Sequence, residues 1–192
     1  MSDALIDFYI KSNGVTLFVL ALLALYFILL NWSFLYRYFT LSAWLTKESR
    51  SLESLLMGAK NVSDNSYLSH FFNSVTNINN DIVNLSKNSA LKDCTKGLST
   101  LSIIASTSPF IGLFGTVVSI LDTFSNIGQS SGTMAIIAAG VSDALIATAA
   151  GIFVAIFAYT YHQVLKRKAY DLHNIMVMQG DALLSRDNTE VR

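Results

Sequence analysis

Residues 134–161 read MAIIAAGVSDALIATAAGIFVAIFAYTY, a run whose one formal charge is Asp143. A helix needs about 20 predominantly apolar residues to cross a hydrocarbon core of about 30 Å, and this run exceeds that length. Backbone groups in lipid must be satisfied within the segment, so the run reads as a membrane-crossing helix. Gly140, Ala144, Ala147 and Gly151 recur at threes and fours, which places small residues along one side. Such a stripe lets a neighbouring helix approach closely. Asp143 lies among these residues. An acid at a helix centre costs about 2.5–3.5 kcal/mol on insertion scales and generally faces protein or water. It reads as an ion-handling group; the competing reading is a neutral, hydrogen-bonded acid that only specifies helix packing.

The same charge pattern repeats outward from this run. The 25 residues between Lys11 and Arg37 carry no charge, nor do the 25 between Lys96 and Asp122. Three spans are therefore expected, at 15–36, 100–124 and 134–161. The whole chain of 192 residues agrees: 52% is hydrophobic and only 14% charged, against about 25% in a soluble domain. Net charge is zero, and the densest basic cluster is Lys166-Arg167-Lys168, so nucleic acid is not an expected partner. The single cysteine, Cys94, leaves no intramolecular disulfide. No metal site or other cofactor is expected, since His162 and His173 are too far apart on a helix and His70 lacks companions.

Lys and Arg set the orientation. Seven lie in 37–96 and five in 162–192, against Lys11 alone in the N-terminal arm and none in 125–133. Basic residues accumulate on the cytoplasmic side. The arm 1–14 and the loop 125–133 are therefore expected outside, with the segment 37–99 and the tail 162–192 in the cytoplasm. The first span reads as an uncleaved anchor, because Asp3 and Asp7 precede it and no cleavage signal follows. Trp32, Tyr36, Tyr38 and Trp44 are expected near the headgroups. The fold class is an all-α membrane protein, with three transmembrane helices and long cytoplasmic helical extensions.

Gly, Asn, Ser and Asp between 58 and 70 mark a turn region. Beyond it Phe71, Val75, Ile78, Ile82 and Leu85 recur at threes and fours, predicting an amphipathic helix from about Tyr67 directly into the second span. After His162 the third span is expected to continue as a helix, with Leu165, Leu172, Ile175, Val177 and Leu183 on its apolar side. The triplet at 166–168 reads as a topology anchor.

The second span is rich in hydroxyls, from Ser99 and Thr100 through Thr116 and Ser119 to Thr123. Gly112 and Gly115 lie inside this apolar helix, so they read as close-packing positions and not as a phosphate loop. Pro109 is expected to loosen one turn. Counting about 1.5 Å per residue from the outer ends puts Thr116 and Asp143 at one depth near mid-membrane, with Thr148 about 7 Å deeper. Asp143 and Thr148 are about 140° apart on an ideal helix, so both line one path only where the helix borders a neighbour and the lumen together.

Two stretches, Ser108-Pro109-Phe110-Ile111-Gly112-Leu113-Phe114-Gly115-Thr116-Val117 and the run Ala139 to Gly151, resemble the ExbB/TolQ/MotA family of ion-channel subunits, above all its ExbB and TolQ branches. The resemblance covers roughly 100–165. It implies a homopentamer in the bacterial inner membrane around a pore that houses a dimer of a single-span ExbD/TolR-type partner, whose helix carries an Asp. It further implies that proton flow through the pore drives work on the cell envelope or outer membrane. By the same resemblance Thr116 and Thr148 line the pore with Asp143, while Gly112, Gly115, Gly140, Ala147 and Gly151 are read as helix-packing positions from their size and spacing. The chain departs from the pattern at two positions, with Asp143 in place of the usual Glu and Ala139 in place of the usual Pro. A non-conducting membrane scaffold is the alternative function. An enzyme is not expected, for no nucleophile–base pair, metal cluster or phosphate loop appears.

Overall fold

A computed structural model describes residues 14–59, 62–64, 66–72, 80–127 and 133–190. Five helices occupy them: α1 Gly14–Leu56, α2 Ser69–Phe72, α3 Asn80–Thr95, α4 Leu98–Ile127 and α5 Thr133–Glu190. There is no strand among the described residues. Three helices contain stretches long and apolar enough to cross a membrane, Gly14–Leu56, Leu98–Ser125 and Ile137–Ser185. The protein is thus an all-α, multi-pass membrane protein. Pro109 sits inside α4 without ending it. Around it the hydroxyls of Ser106, Thr107 and Ser108 each donate to a carbonyl of the preceding turn, as in the 2.6 Å bond from Ser108 to Ile104.

The chain forms two compact units. The first comprises Met1–Trp32 and Thr100–Tyr161. Its core is Val19 and Leu23 of α1 with Ala147 and Val154 of α5, joined by Tyr26, Phe27, Ile104, Ile111 and Ala150. Phe27 lies against Phe153 and Phe157, with centroids 5.7 and 5.6 Å apart. Below them Tyr161 donates a 3.0 Å hydrogen bond to Asn31, whose amide donates to the Phe27 carbonyl at 2.8 Å. The numbers of α1 and α5 rise together through these contacts, so the two helices are parallel. Phe18, Ile28, Phe110, Phe114, Leu121, Leu145 and Ile156 point outward. Large apolar residues outside are expected where the solvent is lipid.

The second unit comprises Ser33–Ser99 and His162–Arg192. The carboxylate of Glu48 is fully buried and accepts from the Ser66 hydroxyl at 2.7 Å, the Tyr67 amide at 2.7 Å and the Gln179 amide at 3.1 Å. The same Gln179 nitrogen donates to the Glu48 carbonyl at 2.7 Å. Three donors offset a desolvation that would otherwise expel a carboxylate from the interior. The guanidinium of Arg37 donates to the carbonyls of Asp93 and Cys94, both at 3.0 Å, and so caps the C-terminus of α3. Burial pushes the neighbouring Cys94 thiol up to about 11.

Two expectations do not hold. No single helix runs from Tyr67 into the second span: α3 ends at Thr95, and Gly97 adopts φ +85°, the left-handed turn that terminates helices. The stretch of it over 73–79, with Val75 and Ile78, lies outside the described residues. The buried face of α3 is Val83, Ser86, Ala90 and Cys94, while Leu85 is 63% exposed. Small residues at i, i+3, i+7 and i+11 admit close packing there, which larger ones one position earlier do not. Trp44 packs edge-on against Tyr67, with centroids 5.4 Å apart. Tyr38 lies under the Lys168 ammonium, 3.7 Å from its ring centroid, and that ammonium reaches Ser42 at 2.5 Å. Lys168 thus also packs within its unit. Trp32 and Tyr36 are exposed. α5 passes through Gly180 unbroken, and a Cβ there would stand 2.9 Å from Val83 and 3.0 Å from Lys87.

Candidate functional site

The site is built where α4 and α5 cross within the first unit. Contacts between them run from Thr123 with Gly140, through Ser119 with Gly140 and Thr116 with Thr148, to Ser108 with Gly151. One number falls as the other rises, so the pair is antiparallel. Glycines let the backbones touch. A Cβ on Gly112 would stand 2.8 Å from the Ala147 carbonyl oxygen and 3.1 Å from the α-carbons of Thr148 and Gly151. One on Gly151 would stand 2.6 Å from the Ser108 carbonyl oxygen, and one on Gly140 would collide with the Thr123 side chain. Gly115 meets Ala147 and Val19 together, both at 3.0 Å from its would-be Cβ. The structure thus brings Gly112, Gly115, Gly140, Ala147 and Gly151 into one crossing, which α1 joins at Gly115.

That approach carries hydroxyls across the interface. Thr116 and Thr148 are hydrogen-bonded to each other through their side-chain oxygens. Thr116 also donates toward the Gly112 carbonyl at 3.2 Å and reaches the Ala144 carbonyl at 3.5 Å, while Thr148 lies 3.4 Å from the Gly112 carbonyl. One turn away Ser119 donates to the Gly140 carbonyl at 3.1 Å, and Thr123 donates to the Ser119 carbonyl at 2.8 Å. Thr116, Ser119 and Thr123 follow the i, i+3, i+7 spacing of one face, which their positions alone reveal. Ser119 and Thr123 are thus polar members of the crossing that the motifs did not single out.

Asp143 is half-buried, one residue before the Ala144 carbonyl that Thr116 approaches. The depth count set Thr116 level with Asp143; its hydroxyl lies between the Ala144 carbonyl and Thr148, up to one turn further along α5. Asp143 is on a different side of α5 from Thr148, and the two sides meet at Ala147, which packs against both Gly115 and the Val19 core. Thr148 and Thr116 can each donate and accept a proton, and the carboxylate of Asp143 can hold a proton or pair with a cation. Among the described residues no three His, Cys, Asp or Glu side chains gather into a metal site.

Residues 62–178 match the MotA/TolQ/ExbB proton channel family. An ExbB-like biopolymer transport protein of Helicobacter pylori is 43% identical over 188 residues, which is 97% of this chain and 100% of that protein. The biopolymer transport protein ExbB of Neisseria gonorrhoeae is 42% identical over 98 residues, 45% of this chain and 44% of its own length. The Tol-Pal system protein TolQ of Haemophilus influenzae is 41% identical over 75 residues, 38% of this chain and 33% of its own.

Proposed function

The chain belongs to the MotA/TolQ/ExbB proton channel family, and from that membership we propose that it is the pore-forming stator subunit of a proton-motive-force-driven motor in the bacterial inner membrane. In this reading several copies, most simply five, surround a pore occupied by a dimer of a single-span ExbD/TolR-type partner. The work done is on the cell envelope or outer membrane. Asp143 takes up and releases the proton, and the hydroxyls of Thr116 and Thr148 pass it along the α4–α5 crossing. The arm 1–14 and the loop 125–133 face the periplasm, while 37–99 and 162–192 face the cytoplasm.

The observation that carries this reading is the pairing of Thr116 with Thr148 across the two helices, one of which holds Asp143 as the single acid of its span, inside the family-matched stretch. A scaffold can use glycine contacts and paired hydroxyls, but it gains nothing from a carboxylate in the middle of an apolar helix. Copurification followed by native mass measurement tests the assembly. A ring of copies that retains a single-span protein with an intramembrane Asp supports the proposal, and a bare monomer in mild detergent contradicts it. An impermeant thiol reagent tests the topology after Cys94 is replaced. It labels a cysteine placed at Ser130 from outside and leaves one at Ser63 unlabelled.

A further inference from the structure

Thr16 is the one aliphatic hydroxyl of α1 within the first unit, and it is fully buried. Its Oγ1 has no hydrogen-bond partner among the described residues. A buried hydroxyl left unpaired carries its desolvation cost without return, so such a group calls for an explanation. Thr16 shares a face with Val19, Leu23 and Leu30, all buried, at i, i+3, i+7 and i+14. That face packs on α5.

The register of the two parallel helices identifies what Thr16 meets. Val19 and Ala147 both stand 3.0 Å from a Cβ built on Gly115, which sets them at one level. Phe27 meets Phe153 and Phe157, and Asn31 meets Tyr161, so the offset stays nearly constant down the pair. One turn up from Val19 is Thr16, about 4.5 Å along α1; one turn up from Ala147 is Asp143, about 6 Å along α5. The two are thus level to within about 1.5 Å. Orientation agrees with level. Asp143 and Tyr161 are separated by 18 residues, about five full turns, so they project from the same side of α5. Tyr161 reaches α1 from that side. Ala147, Ala150 and Val154 lie along it within the core that contains Val19 and Leu23. Ser119 is the neighbouring hydroxyl on α4, and its hydrogen is donated to the Gly140 carbonyl.

We propose that Thr16 is a positioning residue for ion transfer: a turn of its side chain lets the hydroxyl, unpartnered in the structure, donate to the carboxylate of Asp143 and hold the charged side chain against α1 between transfer events. This rests on the reading of Asp143 as the ion-handling group. When Asp143 takes a proton, the bond loses its charge assistance and the side chain is freed toward the hydroxyls of the α4–α5 crossing. Thr16 itself forms and breaks no covalent bond.

The test uses the complete complex with its single-span partner, reconstituted in liposomes, with proton uptake read by an internal pH dye and assembly checked by native mass. Thr16→Val keeps the volume and removes the hydroxyl; Thr16→Ser keeps the hydroxyl and removes a methyl. Proton flux is expected to fall about tenfold in Thr16→Val, the scale of one charge-assisted bond, and to stay within about twofold of the parent in Thr16→Ser. A packing role gives the reverse order, since Val fills the site and Ser leaves a gap, and Val conducting as well as or better than Ser overturns the proposal. Where the Val form fails to assemble, Thr16→Ala is compared with Thr16→Ser: both lose the methyl and only Ser keeps the hydroxyl, so flux kept in Ser and lost in Ala supports the proposal, and equal flux in the two overturns it. Asp143→Asn separates this inference from its premise. An assembled Asp143→Asn complex that still conducts removes both; one that is silent beside a fully active Thr16→Val removes only the role of Thr16.

Discussion

Gly112 and Gly151 meet backbone to backbone: a Cβ added to Gly151 would stand 2.9 Å from the α-carbon of Gly112 and 2.6 Å from the carbonyl oxygen of Ser108. Neither obstacle is the end of a flexible side chain, so the helices must separate to admit even a methyl. Gly151→Ala is therefore expected to destabilise the first unit by about 1–3 kcal/mol, the usual cost of overpacking. Gly180→Ala meets side-chain atoms of Val83 and Lys87, with the flexible Lys87 able to move, and is expected to cost less. Thermal unfolding of the two variants in one detergent checks the order.

The hydroxyl pair in the same crossing makes a coupling prediction. Thr116→Val and Thr148→Val each break their mutual hydrogen bond, so the double variant is expected to lose about as much activity as the worse single one. Independent roles would make the losses multiply. Proton flux in the four assembled complexes decides between these outcomes. Each single variant is expected to impair flux less than Asp143→Asn, because a hydroxyl assists transfer but does not carry the charge.

Much of this architecture is legible in the sequence, for physical reasons specific to membranes. Uncharged runs long enough to cross a bilayer have few other uses, so three apolar helices follow from the gaps around Arg37, Lys96 and Asp143. Small residues at helical spacing in such a run point to the crossing where the structure places Gly112, Gly115, Gly140, Ala147 and Gly151. Outside the apolar runs the pattern is harder to read. Gly97 ends a helix and Gly180 sits in the middle of one, and nothing local distinguishes a φ of +85° from a close contact with Val83. The face of α3 is missed because Ser86, Ala90 and Cys94 weigh little in a hydrophobic pattern although they are fully buried. Glu48 resembles any other charge of a polar segment, and its partner Gln179 is 131 residues away. Thr16 is concealed among leucines and phenylalanines, and only the register with α5 gives it a role.

Glu48 yields a prediction for the second unit. Glu48→Ala removes the carboxylate that accepts from Ser66, the Tyr67 amide and Gln179, leaving Gln179 its bond to the residue-48 carbonyl, and is expected to cost about 3–5 kcal/mol, whereas Glu48→Gln keeps an acceptor and costs less. Denaturation of the purified complex, followed by the fluorescence of Trp44 beside Tyr67, reads the difference.

Stability also depends on pH through His173. Burial first, and then the Lys87 ammonium, hold its imidazole below the ordinary value near 6.5. The unfolded chain therefore gains the proton first as pH falls. The contribution of His173 to stability is present above about pH 6.5 and is lost as pH falls through the lower folded value. Thermal unfolding of the parent is expected to shift down between pH 7 and 5, and His173→Gln to flatten part of that slope. An unchanged slope in His173→Gln contradicts the assignment.

The central claim is that the charge of Asp143, and not its shape, does the work. Asp143→Asn keeps the volume and hydrogen-bonding capacity of the side chain but cannot take up and release a proton. The decisive measurement is proton flux through liposomes carrying the Asp143→Asn complex, beside native mass spectra of the same preparation. The predicted result is a ring assembled with its partner and conducting nothing, with at least partial flux in Asp143→Glu. Full flux through an assembled Asp143→Asn complex contradicts the account and leaves Asp143 a packing residue alone.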